Sequence, residues 1–227
     1  MSSDLKVTNI KHESSSSNNL VLGSDGSASF PSTTIGGLQS MQVFTSTGTY
    51  TKPSGIRRIK VIVTGAGGGG GSGEQNYNSR SGGGAGGTAI KLIDATSIVT
   101  ETVTVGTGGS GATSVNSNGS TGGTSSFGSH CSATGGYGGN GNTNPASNTS
   151  GIGSGGDINI TGGAGQGYQG GNASTDYAGG SLGGSSYWGG TGMVGSSDGA
   201  YDGQDGQAFG SGGSAGDQNG SSQFGDG

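Results

Sequence analysis

The chain is 227 residues long, with 59 glycines, 26% apolar residues and 9% charged residues. Globular domains carry about 7% glycine and about 45–50% apolar residues when glycine is included, so one conventional hydrophobic core of this size is not expected. Eight Lys and Arg against 13 Asp and Glu give a net charge of −5, too little charge for the usual signature of disorder.

The charge is divided along the chain. Residues 1–91 hold all eight cations and four acids, a balance of +4; residues 92–227 hold nine acids and no cation, a balance of −9. Phosphate contact depends on Lys and Arg, so the acidic part excludes nucleic acid and anionic membrane surfaces as partners. The single cysteine, Cys131, rules out an intrachain disulfide framework and is read as a small packed residue. Residues 1–6 lack the apolar run of a signal peptide, and the longest strongly apolar stretch, Val61 to Val63, is far short of a membrane span. Synthesis in a cytoplasm without standard export or membrane insertion is expected.

In chain order, Leu5, Val7 and Ile10 share one face of a short strand. Leu20 to Leu22 precede the Gly23-Ser24-Asp25-Gly26 turn, and Ser27 to Phe30 end at Pro31. Such short, weakly apolar strands bury too little surface alone. Residues 1–40 are therefore predicted to form an oligomerising stem, expected as a homotrimer. Residues 42–46 are the next predicted strand, followed by a turn and short extended piece over 47–55. The alternation of Ile59, Val61 and Val63 predicts a strand over 56–64. It runs directly into Gly65-Ala66-Gly67-Gly68-Gly69-Gly70-Gly71. Residues 88–93 and 98–106 are the remaining β-branched strands.

Beyond Gly106 no helical period occurs. Tracts such as Gly135-Gly136-Tyr137-Gly138-Gly139 and Gly179-Gly180-Ser181-Leu182-Gly183-Gly184 alternate with polar segments. Three prolines and no strict Gly-X-Y period exclude collagen. Two readings stand for these tracts. One is a flexible linker; the other is stacked extended strands of polyproline-II-like geometry, packed closely because glycine has no side chain, with polar loops projecting from their ends. Ordering glycine costs more backbone entropy than ordering any other residue, so the second requires dense mutual hydrogen bonding.

The stretch Val43 to Gly55, with Thr49-Tyr50-Thr51-Lys52-Pro53, followed by Ile59 to Gly70, resembles the glycine-rich domain of bacteriophage tail-fibre proteins. Thr102-Val103-Thr104-Val105-Gly106, Gly122-Gly123-Thr124-Ser125-Ser126-Phe127-Gly128 and Ala133-Thr134-Gly135-Gly136-Tyr137 are similar to the family's following elements, so the resemblance covers about residues 42–140. It implies a virion component, assembled in the host cytoplasm, that contacts the host surface. It also implies a division into a stem or virion-attachment segment (1–40), a glycine-rich β-domain (41–140) and a distal glycine-rich recognition region (141–227).

Enzyme motifs are absent. His130 adjoins Cys131, but neighbours on a strand point to opposite faces and cannot form a nucleophile–base pair. No phosphate loop follows the glycines, and zinc ligands are lacking. No enzyme activity and no cofactor are expected. Asp198, Asp202 and Asp205 weakly suggest a calcium loop, but Asp-Gly turns explain them more simply. The sharper signal is aromatic: Tyr137, Tyr168, Tyr177, Tyr187, Trp188 and Tyr201 sit among Ser, Gly and Asn, a composition suited to binding loops. Of these, Tyr168, Tyr177, Tyr187, Trp188 and Tyr201 are the candidate receptor-binding residues, Ser186-Tyr187-Trp188-Gly189 foremost. Plugging gaps between glycine strands is their plainer role.

The expected whole is an all-β structural virion protein. It would be a tail fibre or fibre tip held to other virion proteins through residues 1–40, adhering to a bacterial surface polysaccharide or outer-membrane protein. A capsid decoration without receptor binding is the alternative. An ice-binding bundle would need a flat Thr or Ala face, and none is evident along the sequence.

Overall fold

The computed structural model describes residues 38–73, 80–141, 149–168, 181–191, 203–217 and 225–227, with three short backbone strands before them. The chain divides into two compact units, residues 1–42 and 43–227. The protein is all-β, with no helix among the described residues. In the first unit β1 (Asn9–Ile10), β2 (Leu20–Leu22) and β3 (Ala28–Ser29) form an antiparallel sheet in that order, Val21 lying opposite both Asn9 and Ser29. Leu5 and Val7 lie outside the described residues.

The second unit opens with β4 (Gly48–Thr51) rather than with the strand expected over 42–46, where residues 42–44 are irregular and 45–47 bend. The reason is the partner: Val105 N–H donates to Thr47 Oγ1 at 3.1 Å, and antiparallel pairing with β9 (Thr100–Thr104) starts only at Gly48 opposite Val103. Phe44 packs against the edge of the core instead.

Two small sheets face each other. One has the order β13-β8-β5, with β5 (Arg58–Thr64) paired along its length to β8 (Thr88–Asp94), and β13 (Ile158–Ile160) on β8's other edge. The other has the order β12-β11-β10-β9-β4, with β10 (Ser125–Phe127), β11 (Cys131–Ala133) and β12 (Gly153–Ser154). Between them lie Val63, Ala89 and Ile93 from the first sheet and Tyr50, Val103, Phe127, Cys131 and Ala133 from the second. Ala95 and Ile98 close the end of this core. Tyr50 meets Phe127 edge to face at 5.5 Å, the favoured aromatic geometry.

The glycine tracts leave this sandwich and return to it. Residues 65–72 run out from β5 and 81–87 run back into β8. Residues 106–112 run out from β9 and 117–123 return to β10; residues 134–140 run out from β11 and 149–152 return to β12. Their hydrogen bonds have a period of three. Gly65, Gly68 and Gly71 donate to the carbonyls of Gly87, Gly84 and Ser81 at 2.9, 2.9 and 3.0 Å. Ala66, Gly69 and Ser72 donate to those of Gly123, Ser120 and Ser117. On its other sides the same tract accepts from Gly136 and Gly139, from Gly109 and Ala112, and from Gly213, while Gly70 donates to Gly225. Three residues per turn is the repeat of a polyproline-II helix, which has no internal hydrogen bonds and offers its groups around the whole axis. Residues 65–72 are thus surrounded by six tracts. Residues 81–87 are surrounded in the same way by 65–71, 134–140, 149–151, 163–166, 183–184 and 210–213.

The bonding connects the tracts in three rows. The middle row holds 107–112, 65–72, 81–87 and 162–166; one outer row holds 117–123, 134–140 and 149–152; the opposite row holds 225–227, 210–216 and 182–185. Tracts before and after residue 140 share this one array. At the glycines of the middle row the surrounding backbones leave no room for a side chain: a Cβ on Gly69 would lie 2.1 Å from the Ser110 carbonyl oxygen, and one on Gly83 1.9 Å from that of Gly68. In the outer row only every third position points away. The sequence there reads Thr121-Gly-Gly-Thr124 and Thr134-Gly-Gly-Tyr137-Gly-Gly-Asn140. Two further two-stranded pairings lie at the far end of the array: β7 (Arg80–Ser81) with β14 (Gly167–Tyr168), and the parallel pair of β6 (Ser72–Gly73) with β15 (Gly216–Asp217).

Because the clash is backbone on backbone, Gly69→Ala and Gly83→Ala should each lower unfolding stability by about 1–3 kcal/mol or more. Gly48→Ala, whose Cβ would meet the Phe44 ring at an ordinary 3.6 Å, should stay within about 0.5 kcal/mol. Denaturant unfolding of the three variants checks this.

Candidate recognition surface

Residues 182–185 return along the array towards the sandwich and end in a tight turn. Gly189 N–H donates to the Ser186 carbonyl at 3.1 Å, and Trp188 N–H to Ser186 Oγ at 3.1 Å. Gly189 and Gly190 take positive φ values of 90° and 67°, conformations that glycine adopts without steric cost. Tyr187 and Trp188 occupy the turn's tip. Their rings meet edge to face at 5.0 Å and are 45% and 50% exposed. Trp188 Nε1 donates to Thr64 Oγ1 at 2.9 Å, and Thr64 Oγ1 lies 3.0 Å from Thr88 Oγ1. Thr64 and Thr88 are the residues at which β5 and β8 meet the array, and Thr88 is buried. The indole is thereby tied to the junction between the sandwich and the array.

A second turn adjoins the first. Gly210, at φ 74°, comes close to the Gly65 carbonyl and the Ser186 side chain, so its neighbour Phe209 projects beside the Tyr187–Trp188 turn, 66% exposed. Phe209 is not among the residues singled out from sequence; the Phe209-Gly210 step, an aromatic before a positive-φ glycine, is the signal that marks it.

The other candidates fare differently. Tyr168 pairs through its backbone with Arg80 at the far end of the array, with its side chain outside the described residues. Tyr177, Tyr201, Asp198 and Asp202 also lie outside the described residues. Asp205 is exposed, and its Oδ1 accepts from Asp226 N–H at 2.8 Å. No group of three metal-ligating side chains occurs among the described residues, and no described helix is long and apolar enough to cross a membrane.

His130 and Cys131 diverge. His130 Nε2 lies 3.2 Å from Glu101 Oε2, whereas Cys131 faces the sandwich core. Burial pushes the thiol above its ordinary value of 9.0, opposed by the Lys91 charge. Lys91 Nζ itself donates to the carbonyls of His130 and Gly155, both at 2.8 Å. The thiol is therefore held protonated and packed, a poor nucleophile.

A β-sandwich continued by a close-packed array of glycine tracts defines a class of glycine-rich all-β proteins. The chain belongs to the glycine-rich domain family, which matches it over residues 43–227, the whole of the second unit. No curated protein matches the chain.

The raised thiol has a consequence for stability. A folded-state pKa above the unfolded one favours the fold fully below pH 9.0 and progressively less above it. Tyr50, raised by burial from 10.0, extends the same trend. The melting temperature of the protein should fall as pH rises from about 9 to 10.5, and Cys131→Ala should flatten the first part of that fall. Thermal melts at half-unit pH steps measure both.

Proposed function

We propose that the protein is a structural virion component of the bacteriophage tail-fibre type, which adheres to the host surface and has no catalytic role. The observation that carries the reading is the Tyr187 and Trp188 pair. Two large aromatic side chains stand half exposed on a turn anchored to the rigid array, with Phe209 beside them. Aromatic anchors on preorganised backbone are the usual centres of binding energy, since little side-chain freedom is lost on contact. The capsid-decoration alternative expects buried tyrosines; of the described ones Tyr50 is buried, whereas Tyr137 and Tyr187 are exposed.

In this reading residues 1–40 join the chain to other virion proteins and to two further copies. Three sites per fibre would then gain from effective concentration: weak contacts with a surface polysaccharide or an outer-membrane protein become firm attachment. The family match supports the glycine-rich architecture, and the sequence resemblance supports the fibre assignment.

Tyr187→Ala and Trp188→Ala should each slow adsorption of the particle to its host by tenfold or more while the purified protein keeps its β-sheet spectrum. The lost Trp188–Thr64 hydrogen bond should cost only about 0.5–1.5 kcal/mol of stability. Unchanged adsorption by both variants would refute the assignment of this turn.

A further inference from the structure

We propose that the groove around Tyr137, on the outer row of the array, is a binding site for a neutral saccharide. The groove has a volume of about 290 Å³, and Thr121, Thr124, Thr134, Tyr137, Thr149 and Ile152 supply most of its side chains, with Ser150 beside them. Its shape follows from the register. Gly122 N–H bonds to the Gly136 carbonyl and Tyr137 N–H to the Thr149 carbonyl, so Thr121 and Thr149 flank Tyr137 on adjacent tracts. Thr124 and Ile152 flank Thr134 one turn further on.

The Tyr137 ring is 53% exposed in a row otherwise floored by glycine backbone. The hydroxyls of Thr121, Thr124, Tyr137 and Thr149 make no hydrogen bond to any described residue, whereas Thr134 Oγ1 is engaged with the Ile152 N–H at 2.9 Å. An open aromatic face between hydroxyls that have no partner among the described residues matches a pyranose ring, whose C–H face packs on the aromatic while its equatorial hydroxyls donate and accept at the rim. The volume lies at the lower end of the range for small-molecule sites and suits one or two sugar rings.

Charge selects among sugars. No charged residue lines the groove, and residues 92–227 contain nine acids without a Lys or Arg. A sulfated, phosphorylated or sialylated ligand would find no counter-charge, so the ligand is neutral. A protein partner would instead need about 1,000 Å² of complementary surface, more than a groove of this size supplies. The site lies on the other side of the middle row from Tyr187 and Trp188. It needs no virion to act, so it stands apart from the adhesion reading.

The test uses the purified full chain on an array of neutral gluco-, galacto- and manno-oligosaccharides printed beside sulfated and sialylated counterparts. At least one neutral series should be retained. Tyr137→Ala should weaken that binding tenfold or more, Thr121→Val and Thr149→Val severalfold each, and Tyr137→Phe less than threefold. Because all three positions are solvent-facing, circular dichroism should show the fold unchanged. No retention, retention of the acidic sugars only, or neutral binding that survives Tyr137→Ala overturns the proposal. So does sedimentation showing a self-association that Tyr137→Ala abolishes, since a second copy of the chain would then occupy the groove. Loss of host adsorption in the Tyr187 and Trp188 variants with sugar binding intact separates the two sites.

Discussion

The described part of residues 43–227 depends on one interaction, the hydrogen bond between the backbones of neighbouring glycine tracts. A residue in an ordinary strand bonds to two neighbours in one plane. A tract with a threefold repeat offers its N–H and C=O groups in all directions, so each interior tract reaches six others, as residues 65–72 do. This contact is possible only where no Cβ intervenes: the carbonyls approach within about 2 Å of where Cβ atoms would be. The ordering entropy of glycine, the largest of any residue, is offset by the density of bonds and the tight backbone contact it allows. The largest fully buried side chains reflect the same rule, being Thr88 and a set of serines rather than leucines or phenylalanines.

The small hydrophobic core has a separate role. It sits between two sheets, and its strands carry the tracts: β5, β9 and β11 each end where a tract departs, and β8, β10 and β12 begin where one returns. The sandwich sets the register of six tracts at one end. An array without such a clamp could slide by three residues and keep its bonding pattern, because glycine positions are interchangeable. Burial of Tyr50, Val103 and Phe127 therefore sets which threonine of one tract faces which residue of the next.

Surface chemistry follows from both. Within the array, an outer tract exposes one residue in three, and rigid turns at the sandwich end expose the rest. Trp188, bonded to Thr64 at the top of β5, joins the sandwich and the array to a single exposed ring. Tyr137 is placed by its tract's register alone. Neither ring is supported by a conventional apolar core, so both owe their orientation to backbone geometry.

Much was legible in the sequence. The β-branched alternation of residues 59–63 fixes β5, and the composition excludes a large apolar core, a disulfide framework and a cation-rich binding face. Gly55 to Thr64, leading straight into a glycine run, marks where the sandwich ends. What the sequence did not reveal depends on non-local pairing. Strand β4 starts at Gly48 because β9 lies beside it, and β13, only Ile158–Ile160, is a strand because β8 has a free edge. The neighbouring of Thr121, Tyr137 and Thr149 is invisible in a chain where they are up to 28 positions apart. The four threonines of that face, interrupted by Tyr137 and Ile152, come from three tracts, so no linear pattern announces them. Local propensity, composition and turn chemistry are properties of short segments and can be read along the chain. The register between tracts is set by hydrogen bonds across the array, which only the tertiary structure decides.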